Sequence, residues 1–273
     1  MRYCTSSSFH SVDLLSPSLS PRAPQLLVQL SDSHVVADRL GLVKGVATAA
    51  ALHAAVEHIQ RQGLNPDLLL LTGDLAHDGA PESYETIADT LWPTGWKLAA
   101  LPGNHDDLVS LRAQLGGWCV PVHDLGEHWR VVMLDTTVAG AAHGHLNGAQ
   151  FALLDRAVAE AGKRHIVVAM HHNPVVDQTL VPDRLMLDNA RILLQHLTAW
   201  REVRVVVWGH VHRAYDCRVD NMRMLAAPST AFQFKVTQGE YVLDTDTPAG
   251  YRWLKLYDDG SIATGITTVP PST

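Results

Sequence analysis

The chain has 273 residues, 47% of them hydrophobic, and a formal charge of -7 from 21 Lys+Arg against 28 Asp+Glu. Such a length buries the core of one large domain or two small ones, and the acidic balance gives no cationic field for a nucleic-acid backbone or an anionic membrane. No apolar run reaches the roughly eighteen residues of a membrane span, so a small-molecule substrate is expected, with neither nucleic acid nor membrane as partner. Cys4, Cys119 and Cys217 are isolated and form no CxxC pair, which indicates neither a disulfide framework nor a zinc ribbon and fits a cytoplasmic setting. The 16 histidines are unusual, since histidine is the commonest metal ligand.

Residues 1–24 are rich in Ser and Pro and read as a disordered extension; the folded domain is expected over 25–265, with a flexible tail at 266–273. Gln25–Leu30 is a short apolar run that reads as a buried strand, ending in Ser31-Asp32-Ser33-His34. Asp32 and His34 are two apart, so extended backbone projects both to one side. Helical periodicity follows over Val46–Gln62, stopped by Gly63 and Pro66. A second buried strand, Asp67–Leu71, runs into Thr72-Gly73-Asp74, where glycine turns the backbone and leaves the Asp74 carboxylate beyond the strand end, able to bridge two cations with its two oxygens. His77 in the next loop is read as surface.

A helix from Pro81 to about Leu91 precedes a third strand, Trp96–Leu101, which ends in Pro102-Gly103-Asn104-His105-Asp106. Asp106 and Asp107 read as the cap and first turn of a short helix, with orientation of an imidazole as the alternative for Asp106. Apolar runs at Trp118–Val122 and Trp129–Asp135 suggest a meander, with His123 and His128 facing solvent. His143 and His145 fall in a loop before a helix over Gly148–Ala161. His165–Met170 is a fourth buried strand, ending in His171-His172; adjacent residues point apart, which selects His171 for the site. After a helix over Leu185–Trp200 comes Val203–Trp208 and then Gly209-His210-Val211-His212, the most specific metal signal in the chain. The stretch from Ala214 to Ile262 alternates short apolar runs with turns, including a hairpin at Asp258-Asp259-Gly260.

Strands alternating with helices, with polar residues gathered at strand carboxyl ends, define an α/β fold with its site along one sheet edge, and the late run of strands adds a second sheet. Asp32, His34, Asp74, Asn104, His171, His210 and His212 are too many ligands for one four-coordinate ion; two ions sharing Asp74 account for them all. Oxygen and nitrogen donors without thiolate suit Fe or Mn, with Zn or Co next. Two ions about 3.5 to 4 Å apart activate a bridging water as hydroxide and stabilise an in-line phosphoryl displacement. Two divalent ions, two carboxylates and one hydroxide leave a site charge of roughly +1 that attracts phosphate, and Asn104 keeps it positive where a third carboxylate would cancel it. His105, free of metal duty, is placed to protonate the leaving alkoxide.

Asp32-Ser33-His34, Gly73-Asp74, Gly103-Asn104-His105-Asp106, His171 and Gly209-His210-Val211-His212 together resemble the signature of the calcineurin-like metallophosphoesterases. More narrowly, 227–235 (Ala-Pro-Ser-Thr-Ala-Phe-Gln-Phe-Lys) and 248–252 (Pro-Ala-Gly-Tyr-Arg) resemble the tail of the bacterial class III 3',5'-cyclic AMP phosphodiesterases. The resemblance implies a four-layer αββα sandwich of two mixed sheets flanked by helices, in a monomer or homodimer. It implies a first metal on Asp32, His34 and His212, a second on Asn104, His171 and His210, and Asp74 bridging them. His34, Asp74, Asn104, His105, His171 and His212 would bind substrate, with His105 serving the phosphate and leaving group. The implied reaction is hydrolysis of 3',5'-cyclic AMP to 5'-AMP; 2',3'-cyclic nucleotides, glycerophosphodiesters and a non-catalytic nucleotide-binding role are the alternatives. His77, His145 and the longer N-terminus depart from the family pattern.

Overall fold

The structure, a computed structural model, describes residues 23–176, 183–238 and 240–270. In chain order it contains β1 (Gln25–Leu30), β2 (Leu42–Val43), β3 (Val46–Ala47), α1 (Thr48–Arg61), β4 (Leu68–Thr72), α2 (Pro81–Leu91), β5 (Leu98–Leu101) and α3 (Leu108–Leu115). Then come β6 (Val122–Leu125), β7 (Trp129–Met133), α4 (Gly148–Ala159), β8 (His165–Ala169), α5 (Ala190–Thr198) and β9 (Val203–Trp208). The chain closes with β10 (Tyr215–Val219), β11 (Met222–Ala226), β12 (Gln233–Thr237), β13 (Glu240–Asp244), β14 (Gly250–Leu256) and β15 (Ile262–Thr268).

Two mixed sheets face each other. One has the order β15-β14-β1-β4-β5 and the other β10-β11-β9-β8-β7-β6. Strands β1, β4 and β5 are parallel, as are β7, β8, β9 and β11. Both faces of these parallel strands are covered, which is why they read as continuous apolar runs rather than alternating ones. Leu68 and Leu70 point into the core between the sheets, against Val131, Val167, Val205 and Val207. Leu69 and Leu71 point the other way, onto Leu52, Ile59 and Ile87 of α1 and α2. The second sheet's outer face carries Leu154 and Leu193 of α4 and α5 over Val168 and Val206. The result is the αββα sandwich. Leu70 is fully buried at its centre, so Leu70→Ala should cost about 2–5 kcal/mol, readable by urea unfolding.

Several local expectations are corrected. Val46 and Ala47 pair in a short ladder with Leu42 and Val43, so α1 starts two residues late. Trp118 closes a 3-10 turn instead of opening a strand. Residues 183–185 form a separate 3-10 turn, and α5 is only Ala190–Thr198. His123 is 8% exposed because β6 pairs with β7 and turns it inward. Residues 266–268, expected in a flexible tail, continue β15 through pairing with Gly250, Tyr251 and Arg252. Cys119 is a free thiol. The expected N-terminal extension lies, up to residue 22, outside the described residues. Among the described residues no helix is long and apolar enough to cross a membrane.

Candidate metal centre

The carboxyl ends of β1, β4, β5, β8 and β9 open along one edge of the sandwich, and the sequence places Asp32, Asp74, Asn104, His171 and His210 just past them. A buried polar tie holds the two sheets together beneath: Gln29 Nε2 donates at 2.9 Å to both Thr72 Oγ1 and the Trp208 carbonyl. The loops above bend sharply. Of the eight non-glycine residues with positive φ among the described residues, five are Asp32, His34, Asp74, His210 and His212. Each such conformation costs of order 1–3 kcal/mol and persists only where surrounding contacts impose it. The bend after β4 is stitched to that after β1, with His34 N donating to Asp74 O at 2.9 Å and Asp32 N to Gly73 O at 3.1 Å. Close approach explains two glycines: a Cβ on Gly103 would overlap Asp74 and His171, and one on Gly209 would overlap Ser31 and Asp32.

Asp32, His34, Asp74 and His212, all buried, bring one ligand atom each to within 4.8 Å of the others. His34 Nε2 lies 3.0 Å from His212 Nε2 and 3.7 Å from Asp74 Oδ2, and His212 Nε2 lies 3.4 Å from Asp32 Oδ1. On the other side of Asp74, His171 Nε2 is 3.4 Å from the same Oδ2, 3.2 Å from Asn104 Oδ1 and 3.2 Å from His210 Nδ1. The opposite carboxylate oxygen, Oδ1, accepts the His105 backbone N–H at 2.9 Å. The structure therefore aims a single oxygen of Asp74 at both histidine groups, where the sequence suggested that its two oxygens would be divided between them.

Three of the four rings are anchored on their far sides by carbonyl groups. His171 Nδ1 contacts the Thr72 carbonyl at 2.8 Å, His212 Nδ1 the Phe232 carbonyl at 2.7 Å, and His210 Nε2 the Leu185 carbonyl at 2.9 Å. A carbonyl only accepts, so these nitrogens carry the protons and the inward nitrogens are left bare in the neutral rings. This is the tautomer a metal ligand requires. Burial, with His171 and other histidines nearby, drives His210 down to about 3, and burial likewise lowers His34. Burial opposes charge on His171 too, but the Asp74 carboxylate outweighs it and pushes that ring up to about 9. Asp74, despite burial, is held well below the usual carboxylate range by His171 and His34. Ring nitrogens about 3 Å apart facing shared carboxylate oxygens in a buried cup fit divalent cations better than they fit one another, a cation taking the place of the proton that Asp74 holds on His171.

Four residues in or under this cup were not singled out from the sequence. His77 is half-buried, its Nδ1 3.2 Å from His34 Nδ1, contrary to the surface reading. His172, set aside on strand alternation, is fully buried beside His171 and His210 because β8 ends at Ala169 and the chain bends there. Its Nδ1 contacts Thr136 Oγ1 at 2.8 Å. Asp106 is not a helix cap; Asp107 is, accepting from Ser110 N at 2.8 Å. Asp106 instead accepts the backbone N–H groups of Leu75, Ala76 and Gly103 and the Tyr84 hydroxyl, clamping the two central loops together. Burial and then the charge of Asp74 push it up to about 6. Ser229, within the stretch noted as phosphodiesterase-like, donates to the Asp32 carbonyl at 2.7 Å and accepts from Ala231 N and Phe232 N. His145, by contrast, is exposed and pairs with Asp188.

An αββα sandwich with five polar loops converging on one edge defines the class, and the chain belongs to the calcineurin-like phosphoesterases, whose pattern matches residues 26–214. It is by family a hydrolase of phosphate esters. Among curated proteins it is similar to the 3',5'-cyclic adenosine monophosphate phosphodiesterase CpdA of Pseudomonas aeruginosa, 38% identical over 249 residues that cover 90% of this chain and 91% of that one. The CpdA of Escherichia coli (strain K12) is 32% identical over 256 residues, covering 93% of each chain. Among solved structures, a dimetal phosphatase from Danio rerio superposes with a TM-score of 0.62 at 15% identity, over 91% of this chain and 100% of that chain. Purple acid phosphatase PPD1 of yellow lupin superposes with a TM-score of 0.61 at 11% identity, over 93% of this chain and 53% of that chain. At such identities the structural likeness concerns the fold alone.

Proposed function

We propose that this chain hydrolyses 3',5'-cyclic AMP to 5'-AMP using two divalent metal ions, held by Asp32, His34 and His212 on one side and Asn104, His171 and His210 on the other. The observation that carries the proposal is Asp74 Oδ2, which faces His34 at 3.7 Å and His171 at 3.4 Å and so joins the two groups. The similarity to cyclic AMP phosphodiesterases over nine-tenths of the chain supports the choice of substrate. Donors limited to nitrogen and oxygen favour Fe or Mn, then Zn or Co.

When bound, two such ions supply an activated water and a Lewis-acid clamp for in-line displacement at phosphorus. The chain's own residues do the rest. Asn104 offers a neutral oxygen, so the cup keeps a net attraction for the phosphate anion. His105 is exposed at its rim, its backbone N–H fixed on Asp74 Oδ1. Its Nδ1 lies 3.2 Å from the His77 carbonyl, so that nitrogen keeps its proton, and it is the ring protonated on both nitrogens that gives its Nε2 proton to the departing 3'-oxygen. Water adds to phosphorus with loss of one proton, the bond from phosphorus to the 3'-oxygen breaks as the proton from His105 completes the 3'-hydroxyl of 5'-AMP, and the proton given up by the water restores His105.

Chelation should abolish cyclic AMP turnover, and Mn or Fe added back should restore it; activity that survives thorough chelation would contradict a metal-dependent reaction. His105→Ala should lower kcat on cyclic AMP by about 10²–10⁴-fold with metal content unchanged. A wild-type protein that cleaves aryl phosphodiesters or 2',3'-cyclic nucleotides but leaves 3',5'-cyclic AMP intact would overturn the substrate assignment.

A further inference from the structure

We infer that His77 is a positioning residue for His105, holding its ring in the attitude from which it protonates the leaving group. The inference rests on the role proposed for His105. The two rings stack, with centroids 4.8 Å apart and planes 19° from parallel. The His77 carbonyl faces His105 Nδ1 at 3.2 Å, so one residue constrains both the plane and the proton-bearing edge of the other. His105 is exposed, and among the described residues its ring also meets the edge of His34, with centroids 4.9 Å apart.

His77 is itself on firm backbone. Val35 N donates to the Leu75 carbonyl at 2.9 Å and His77 N to the Val35 carbonyl at 2.8 Å, tying the loop after β4 to the loop after β1. Its Nδ1 lies 3.2 Å from His34 Nδ1, which fixes the rotation of the His77 ring against a buried neighbour. The order thus runs from the pinned strand end through His34 to His77 and only then to the rim residue. A side chain left to rotate at the rim would populate several rotamers, and misplacement by about 1 Å is enough to slow a proton transfer of this kind severely.

The test compares substrates that differ in their need for a proton. Cyclic AMP expels an alkoxide, whereas bis(p-nitrophenyl) phosphate expels a phenolate that leaves unprotonated. His77→Ala should lower kcat on cyclic AMP about 10- to 100-fold, with KM little changed. It should leave the aryl diester rate near wild type and keep the metal content of the wild-type protein. His77→Phe, which keeps the stack and the backbone carbonyl, should restore most of the cyclic AMP rate. In a His105→Ala background, His77→Ala should cost nothing further.

Equal losses on both substrates, loss of metal, full additivity with His105→Ala, or rescue by His77→Gln but not by His77→Phe would each overturn the inference. Failure of the wild-type protein on cyclic AMP would instead count against the proposed substrate, and the same comparison would then be read on a glycerophosphodiester, whose leaving group is also an alkoxide.

Discussion

Asp74→Asn should lower phosphodiester turnover by about 10³-fold or more and drop the metal content below two ions per chain. The side chain keeps its size, and an amide oxygen can still accept the His105 backbone N–H that Oδ1 accepts now. What disappears is the negative charge at Oδ2, which faces His34 and His171 and is the one atom common to both histidine groups. A metal clamp supplies several kcal/mol of charge stabilisation to a phosphoryl-transfer transition state, and each 1.36 kcal/mol corresponds to about tenfold in rate. Elemental analysis and initial rates on the same preparation check both parts. Turnover within tenfold of wild type would mean that the two groups do not act through a shared carboxylate.

Asp106→Asn should destabilise the fold by about 2–5 kcal/mol although it only exchanges an oxygen for an amide nitrogen. Oδ2 accepts from Leu75 N at 3.1 Å and Gly103 N at 2.9 Å, and Oδ1 from Ala76 N at 2.9 Å and Tyr84 Oη at 3.0 Å. Whichever way the amide is turned, its NH2 meets a backbone N–H, and buried donors lose their acceptor. The Tyr84 hydroxyl, which also accepts Asp107 N at 2.9 Å, is disturbed with it. Since these bonds join the loop carrying Asp74 to the loop carrying Asn104 and His105, turnover should fall along with stability. Asp107→Asn is the control, because asparagine caps a helix about as well as aspartate and the change should be nearly silent. Chemical denaturation of both variants decides it: if Asp106→Asn costs no more than Asp107→Asn, the clamp is not important to the fold.

Much of the site was legible because its residues follow buried parallel strands. A polar pair such as Asp32 and His34, or His210 and His212, after an uninterrupted apolar run has no core position to fill, so the run's end marks the site's edge. The sandwich was legible for a related reason, since Leu68–Leu71 can be apolar throughout only if both faces of its sheet are covered. What stayed hidden depends on the return of distant chain. His77 reads as an isolated loop histidine until β1 and β4 lie side by side and bring it against His34 and His105. Asp106 and Asp107 are indistinguishable as caps in sequence; the amides of Leu75 and Ala76, some thirty residues away, take one of them.

Strand alternation also misled where strands stop short. His171 and His172 would face opposite ways in extended backbone, yet β8 ends at Ala169 and the bend beyond it lets both rings border His210. His123 looked exposed because its run is brief, and only the ladder with β7 turns it inward. In both cases the deciding information is backbone conformation at an element's end, which is where periodicity says least.

The reaction in oxygen-18 water tests the central claim most directly. With cyclic AMP and the Mn- or Fe-loaded protein, 5'-AMP should form with one solvent oxygen on its phosphate and none on the ribose, by a protein that carries about two metal ions per chain. Label on the ribose, 3'-AMP as product, or full activity with a single ion would contradict a two-metal attack on phosphorus at the site shared through Asp74.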